Sequence, residues 1–231
     1  MEVTTNITED GKCNIKILYW GPAGGGKTTS LDTLYQLSQE RDLDITPPDQ
    51  LTKISMQTGS TLYFDRGVFQ LKSEESVFFH IYTVAGQTQL LPLRKKLFSG
   101  TDGVVFVADS QMSRWDDNVQ SLKELKKVAQ GNLISKIPLI VMLNKQDLSY
   151  VFDASDFQQL LREENLWYDP PHELSTWNPL IYECVALYDQ ERAIYKSFAE
   201  CARRTRIYDK FGQGSAPARG IVKLNDEVPD L

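Results

Sequence analysis

The sequence of 231 residues has few cysteines and histidines and no long apolar run. Cys13, Cys184 and Cys201 are far apart and form no C-x-x-C pair, so the sequence indicates neither a disulfide framework nor a zinc site. We expect free thiols in the reducing cytoplasm. The apolar stretches are too short to cross a bilayer, and Met1 to Lys12 is polar, without the apolar centre of a signal peptide.

Basic residues are outnumbered by acidic ones, which excludes another class of function. The formal net charge is −6, whereas a nucleic-acid-binding protein needs a basic face. No lipid anchor is predicted, because Glu2 stands where myristoylation requires Gly and the terminal Val-Pro-Asp-Leu offers no Cys for prenylation. Arg94, Lys95 and Lys96 leave transient membrane association open, although a solvated helix is the simpler interpretation.

The alternation of apolar runs and amphipathic stretches predicts an α/β fold with a doubly wound, largely parallel sheet. Residues 41–60 are polar and contain two prolines, so we expect a mobile loop there. The predicted strands cover 14–20, 61–65, 77–84, 103–109, 138–143 and 180–185. The predicted helices cover 27–40, 115–128, 154–165 and 190–206.

The distribution of apolar periodicity also predicts the domain boundaries. Residues 13–208 are expected to form one domain, after a polar N-terminal extension at 1–12. Residues 209–231 lack apolar periodicity and contain several Gly and Pro residues, which predicts a flexible C-terminal tail. The aromatic side chains of residues 165–180 are expected to pack on the domain, with a partner surface as the alternative.

A glycine-rich loop carries the first chemical signal. Residues 21–28, GPAGGGKT, match G-x-x-x-x-G-K-[ST] between a predicted strand and a predicted helix, which disfavours a glycine turn without a ligand. Glycines let successive backbone N–H groups surround phosphate oxygens beside a helix N-terminus. Lys27 is expected to neutralise the terminal phosphates, and the Thr28 hydroxyl to bind magnesium. The loop residues predicted to bind the nucleotide are Gly21, Ala23, Gly24, Gly25, Gly26, Lys27, Thr28 and Thr29.

A second loop indicates which base is bound. Asn144-Lys-Gln-Asp147 directly follows a predicted strand, at the sheet edge where such folds bind ligands. The Asp147 carboxylate can accept hydrogen bonds from N1–H and the amine of guanine, whereas adenine leaves it unpaired. Asn144 is expected to tie this loop to the phosphate loop, and the Lys145 stem to cover one face of the base. The tetrapeptide alone could be an ordinary surface loop, but together the two motifs predict GTP or GDP as the ligand. Stronger binding of ATP than of GTP would instead indicate a phosphate-loop kinase or ATPase.

With these motifs in place, residues 12–207 resemble the MglA-like branch of the Ras superfamily of small GTPases, with further likeness to Arf and Sar proteins. The resemblance is carried by GKTT at 26–29, TLYFD at 61–65, YTVAGQ at 82–87 and DGVVFVADSQ at 102–111. It implies the small-GTPase fold, with one antiparallel strand and helices on both faces of the sheet. It also implies a molecular switch with protein effectors and a Roadblock-type regulator.

The resemblance assigns roles to residues that the motifs alone leave open. It implies that Thr61 closes over magnesium and the γ-phosphate, that Gly86 senses the γ-phosphate through its N–H, and that Gln87 orients the attacking water. Without it, Thr61 reads as a strand residue and Gln87 as a solvated loop residue. Val185 and Ala186 fall where the last base-contacting loop is expected. The catalytic residues so predicted are Gln87, Lys27 and Thr61, and the predicted magnesium ligands are Thr28 and Thr61.

Three positions depart from the resembled pattern. Thr83 stands where most Ras-type proteins have an Asp that steadies magnesium through water, and Ser60 stands where the MglA pattern has an arginine. Ala23 adds a methyl group where Ras has Gly. These differences predict weaker magnesium binding and slow GTP hydrolysis. They leave a hydrolysis-deficient, GTP-bound interaction module as the alternative to a switch.

Overall fold

The computed structural model describes Thr8 and residues 11–55, 63–84, 91–187 and 192–218. The strands in this part of the chain are β1 (Cys13–Trp20), β2 (Ile45–Thr46), β3 (Thr52–Ser55), β4 (Tyr63–Leu71), β5 (Val77–Thr83), β6 (Gly103–Asp109), β7 (Leu139–Asn144) and β8 (Ile181–Glu183). The helices are α1 (Lys27–Glu40), α2 (Leu91–Phe98), α3 (Trp115–Ala129), α4 (Ala154–Glu163) and α5 (Arg192–Gly212).

The strands form one mixed sheet in the order β2-β4-β5-β1-β6-β7-β8, with β3 also paired to β4. The strands β5, β1, β6, β7 and β8 are parallel, whereas β4 runs antiparallel to β5. This confirms the predicted fold. The structure adds two short strands within residues 41–60, where a loop was expected. They form because β4 offers a free edge, on which Ile45 pairs with Leu71 and is fully buried.

Helices cover both faces of the sheet, and each face has its own hydrophobic core. Alternate residues of β1 point to opposite sides, so Leu18 belongs to a core with α2, α3 and α4, and Ile17 to a core with α1 and α5. The C-terminal part of α5 also reaches the first core through Ile207 and Tyr208. Every residue of β6 and β7 is buried, which explains their unbroken apolar sequences. The phosphate loop therefore rests on a rigid, fully covered central sheet.

The packed domain extends past the expected boundary at residue 208. Helix α5 continues to Gly212, and residues 213–218 lie against the domain because Trp177 donates from Nε1 to the carbonyl of Pro217 at 2.9 Å. The expectation of a flexible tail from residue 209 is therefore incorrect for 209–218, while 219–231 lie outside the described residues. Trp177 itself is buried, so this aromatic ring of the 165–180 loop packs on the domain.

Two further observations concern the helix lengths and the thiols in the described part of the chain. None of its helices has the length and apolarity that a bilayer crossing requires. The three cysteines are free thiols, and burial raises the pKa of Cys184 to about 12. These thiols therefore stay protonated at neutral pH.

Candidate nucleotide site

The phosphate loop leaves β1 through a glycine that no other residue can replace without movement. A Cβ atom on Gly21 would lie 2.1 Å from the carbonyl oxygen of Val107 in β6. At the other end of the loop, Gly26 has φ +98°, and its Cβ would lie 2.0 Å from the side-chain amide nitrogen of Asn144. At both ends the backbone of the loop lies so close to a neighbouring residue that a side chain would not fit, and this fixes the path of the loop between β1 and α1.

Lys27 is the buried cation of this loop. Its Nζ donates hydrogen bonds to the carbonyl oxygens of Pro22 at 2.7 Å and Gly21 at 3.1 Å. Burial, with a smaller contribution from the charge of Arg94, lowers the pKa of Lys27 to about 7. Among the described residues, two carbonyl oxygens are hydrogen-bond acceptors for this ammonium group. A phosphate group beside it would supply a countercharge.

Asn144 joins the base loop to the phosphate loop. Its Nδ2 donates to the carbonyl oxygen of Gly25 at 2.8 Å, and its Oδ1 accepts the N–H of Ala186 at 2.7 Å. The carbonyl of Ala186 in turn accepts the hydroxyl of Thr33 in α1 at 2.6 Å. One buried amide therefore sets the spacing of three segments that are far apart in sequence.

These segments enclose a cavity of about 240 Å³ at the carboxyl edge of the parallel strands. Asp147 lines the cavity and is solvent-exposed, so its carboxylate is free to meet a ligand. The full lining consists of Gly24, Gly26, Thr29, Asn144, Lys145, Asp147, Leu148, Val185, Ala186 and Leu187. The structure thus brings the predicted phosphate, base and last-loop residues to one place. Their roles in binding stay predictions.

Comparison with known proteins decides the family. The model for the ADP-ribosylation factor (Arf) family matches residues 2–193. The chain belongs to the Arf family of small GTPases. The mutual gliding-motility protein MglA of Myxococcus xanthus is 36% identical over 157 residues, which cover 66% of this chain and 78% of that protein. Human ADP-ribosylation factor-like protein 4A is 31% identical over 105 residues, about half of its own length.

Membership of the Arf family makes this chain a GTP-binding switch protein, and it confirms the resemblance to MglA and Arf proteins. The family therefore supports guanine nucleotide as the ligand class of this protein. Four residues that the sequence analysis discussed, Ser60, Thr61, Gly86 and Gln87, lie outside the described part of the chain. Their assignments stay predictions.

Asp109 lies beside the predicted site, and the sequence analysis did not identify it. Its buried carboxylate accepts a hydrogen bond from Nζ of Lys145 at 2.6 Å, which orients the side chain expected to cover the base. The pairing follows from register, because Asp109 and Asn144 are partners at the ends of β6 and β7. An acidic residue closing a fully apolar strand was the available signal.

Asp65 is a second missed residue, and it bears on the departure at Thr83. One carboxylate oxygen, Oδ2, accepts the hydroxyls of Thr28 at 2.6 Å and Thr83 at 3.1 Å. Asp65 is only 3% exposed. The phosphate-loop hydroxyl thus faces a buried carboxylate from β4. The available signal was an acidic residue in an otherwise apolar strand segment, Thr61 to Asp65.

Arg94 contradicts the expectation that the basic residues 94–96 belong to a solvated helix. Its neighbours Lys95 and Lys96 are exposed, but the Arg94 side chain is 1% exposed. The guanidinium pairs with Glu124 of α3 at 2.6 Å and stacks 4.0 Å from the ring centroid of Trp20. The run of three basic residues does not indicate which of them faces inwards. A helix turns about one position in three or four towards the core, and here that position is Arg94.

Proposed function

We propose that this chain binds GTP and GDP together with magnesium and switches between two conformations through slow GTP hydrolysis. The observation that carries the proposal is the double hydrogen bond of Asn144, which ties the phosphate loop to the loops that line the same cavity as Asp147. The phosphates would lie on the N–H groups of the loop at the start of α1, with Lys27 beside the terminal phosphates. Gly86 would contact the γ-phosphate, and the backbone at Val185 and Ala186 would contact the base.

The residues around Thr28 fit a magnesium ion. Magnesium prefers oxygen ligands and is commonly held by a carboxylate, hydroxyls, water and substrate phosphates. Thr28 and Asp65 supply a hydroxyl and a buried carboxylate, and a buried carboxylate is stabilised by a nearby cation. When bound, the ion would balance charge on the β- and γ-phosphates. We infer that Asp65 offsets the neutral Thr83, while Thr61 would complete the ligand set in the GTP state.

Hydrolysis is proposed to depend on Gln87, which would orient the attacking water towards the γ-phosphate. Two features support a slow rate. Ser60 cannot provide the positive charge that an arginine contributes, which can be about 10³- to 10⁵-fold in turnover. The second feature is the methyl group of Ala23 in the phosphate loop. It would reduce the space that an activating arginine of a partner protein has to enter.

A slow switch needs partners that read and reset it. We propose that a Roadblock-type regulator and protein effectors distinguish the GTP and GDP forms through residues 41–65 and 83–98. The γ-phosphate would hold these segments by contacts with Thr61 and Gly86, and hydrolysis would release them. This proposal draws on the likeness to MglA, whose name connects that protein with gliding motility.

Single-turnover hydrolysis of bound GTP tests the proposed function. The wild-type protein and the Gln87→Leu and Asp65→Asn variants are loaded with GTP, and inorganic phosphate is measured as magnesium is titrated. Wild-type turnover should be slow but measurable, and Gln87→Leu should abolish it. Asp65→Asn should shift the magnesium dependence to higher concentration. GTP that stays bound and intact in the wild-type protein over a long incubation would instead support the hydrolysis-deficient interaction module.

A further inference from the structure

Arg114 reaches the phosphate loop from a different element. It ends the 3₁₀ turn Met112–Arg114 between β6 and α3, and its Nη2 donates to the carbonyl oxygen of Ala23 at 2.8 Å. The hydrogen bond thus joins a cationic side chain from outside the loop to the loop itself. A guanidinium group therefore lies beside the residues that would hold the phosphates.

Arg114 is held in position through both its backbone and its side chain. Its backbone carbonyl accepts a hydrogen bond from Nδ2 of Asn118 at 2.8 Å, and its Nη1 pairs with Asp117 at 2.7 Å. The more distant carboxylate of Asp109 lies 3.9 Å from Nε. The side chain is 36% exposed, so it is neither buried in the core nor free in solvent.

The guanidinium retains donors for a ligand. It carries five N–H groups, of which Ala23 and Asp117 each engage one at hydrogen-bond distance. The remaining donors lie in the same plane, and this fork matches the oxygens of a phosphate group better than a lysine does. The contact with Ala23 places this fork beside the phosphate loop.

We propose that Arg114 contacts the terminal phosphate of bound GTP and supplies, in the same chain, part of the positive charge that Ser60 cannot provide, so that hydrolysis is slow rather than absent. This inference rests on the proposed function. In the hydrolysis step the water oxygen bonds to the γ-phosphorus while the bond to the β–γ bridging oxygen breaks. GDP leaves with the electron pair, and the water proton passes to the phosphate. Arg114 neither gives nor takes a proton; it stabilises the negative charge of the transferred group.

A purely structural role for Arg114 makes a different prediction. If the side chain only braces the Ala23 carbonyl, its loss disturbs the phosphate loop and weakens GDP and GTP to the same extent. If it contacts the terminal phosphate, its loss weakens GTP and spares GDP, because GDP lacks that group. The ratio of the two affinities therefore separates the two roles without requiring any hydrolysis.

The test compares the wild-type protein with Arg114→Ala and Arg114→Lys. Arg162→Ala is the matched control, because Arg162 is 35% exposed and pairs with an exposed Asp169 away from the cavity. Dissociation constants are measured for GDP and for a non-hydrolysable GTP analogue, together with single-turnover hydrolysis. For Arg114→Ala we expect GDP affinity within about 3-fold of wild type, analogue affinity reduced about 10-fold or more, and hydrolysis reduced about 10²- to 10³-fold. Arg114→Lys should fall between the two.

Equal effects on GDP and the analogue, or no effect on either, would overturn the role of Arg114 while leaving the proposed function intact. A wild-type protein that binds neither nucleotide would overturn both proposals. A loss in Arg162→Ala as large as that in Arg114→Ala would also count against the proposal, since it would reflect a general loss of stability.

Discussion

The side-chain amide of Asn144 donates a 2.8 Å hydrogen bond to the carbonyl oxygen of Gly25, and so connects the base loop to the middle of the phosphate loop. The same side chain accepts the N–H of Ala186, so its two ends hold two different backbone segments. Asn144 is buried, and water cannot replace either partner without opening the site. The geometry of the cavity therefore depends on one residue.

Replacement of Asn144 by Ala should weaken GDP binding about 10- to 100-fold. The substitution leaves a buried carbonyl and a buried N–H unpaired, which costs a total free energy of about 1–3 kcal/mol. Titration with fluorescent GDP measures the effect. The control is Asn178→Ala, which removes an amide that bonds the backbone of Tyr168 in the same two-ended way, away from the cavity. Equal weakening in both variants would contradict a specific role for Asn144.

The lowered pKa of Lys27 predicts how the stability of the nucleotide-free protein depends on pH. Because the pKa of Lys27 is about 7 in the folded chain and 10.5 as its ordinary value, the unfolded chain binds more protons between these limits. The cost of burying the charged lysine is present in full below pH 7 and falls as the pH rises. The free energy of unfolding should therefore increase from pH 7 to 8.5, relative to a Lys27→Met variant.

Urea denaturation after removal of nucleotide with a chelator and phosphatase provides this measurement. The comparison with Lys27→Met is needed because buried Cys184 and Cys201 have raised pKa values and act in the opposite direction at higher pH. Parallel pH profiles of the wild-type and variant proteins would show that Lys27 keeps an ordinary pKa.

The buried ion pair of Arg94 predicts an unequal effect of two arginine substitutions. Arg94→Ala leaves Glu124 without its partner and removes the stacking on Trp20, so it should lower the free energy of unfolding by about 2–4 kcal/mol. Arg162→Ala breaks an exposed pair with Asp169 and should cost about 0.5 kcal/mol or less. Chemical denaturation of both variants tests the difference. Equal losses would mean that Arg94 does not anchor α2 to α3.

Much of the architecture could be predicted because local sequence and burial agree. The unbroken apolar residues of β6 and β7 predict covered parallel strands, and the glycine loop between β1 and α1 predicts a phosphate site. The short strands β2 and β3 could not be predicted in this way, because they depend on the free edge of β4 rather than on their own apolar pattern.

The missed site residues have a common physical reason. Asp65, Asp109 and Arg114 each act through a contact with a residue distant in sequence: Thr28, Lys145 and Ala23 respectively. A pattern along the chain identifies a glycine loop, but it carries no information on which charged side chain another strand or turn brings beside it. Only the sheet register and the position of the 3₁₀ turn provide that information.

The central claim is that Asp147 recognises a guanine base. Its most direct test compares the nucleotide affinities of the wild-type protein and the Asp147→Asn variant. Xanthine carries a carbonyl in place of the 2-amino group of guanine, so it matches the donor of Asn as guanine matches the carboxylate of Asp. We expect wild-type protein to prefer GTP over ATP by about 10³-fold or more, and the variant to prefer xanthosine triphosphate over GTP. Equal affinity of the wild-type protein for ATP and GTP, or unchanged GTP binding in the variant, would contradict the account.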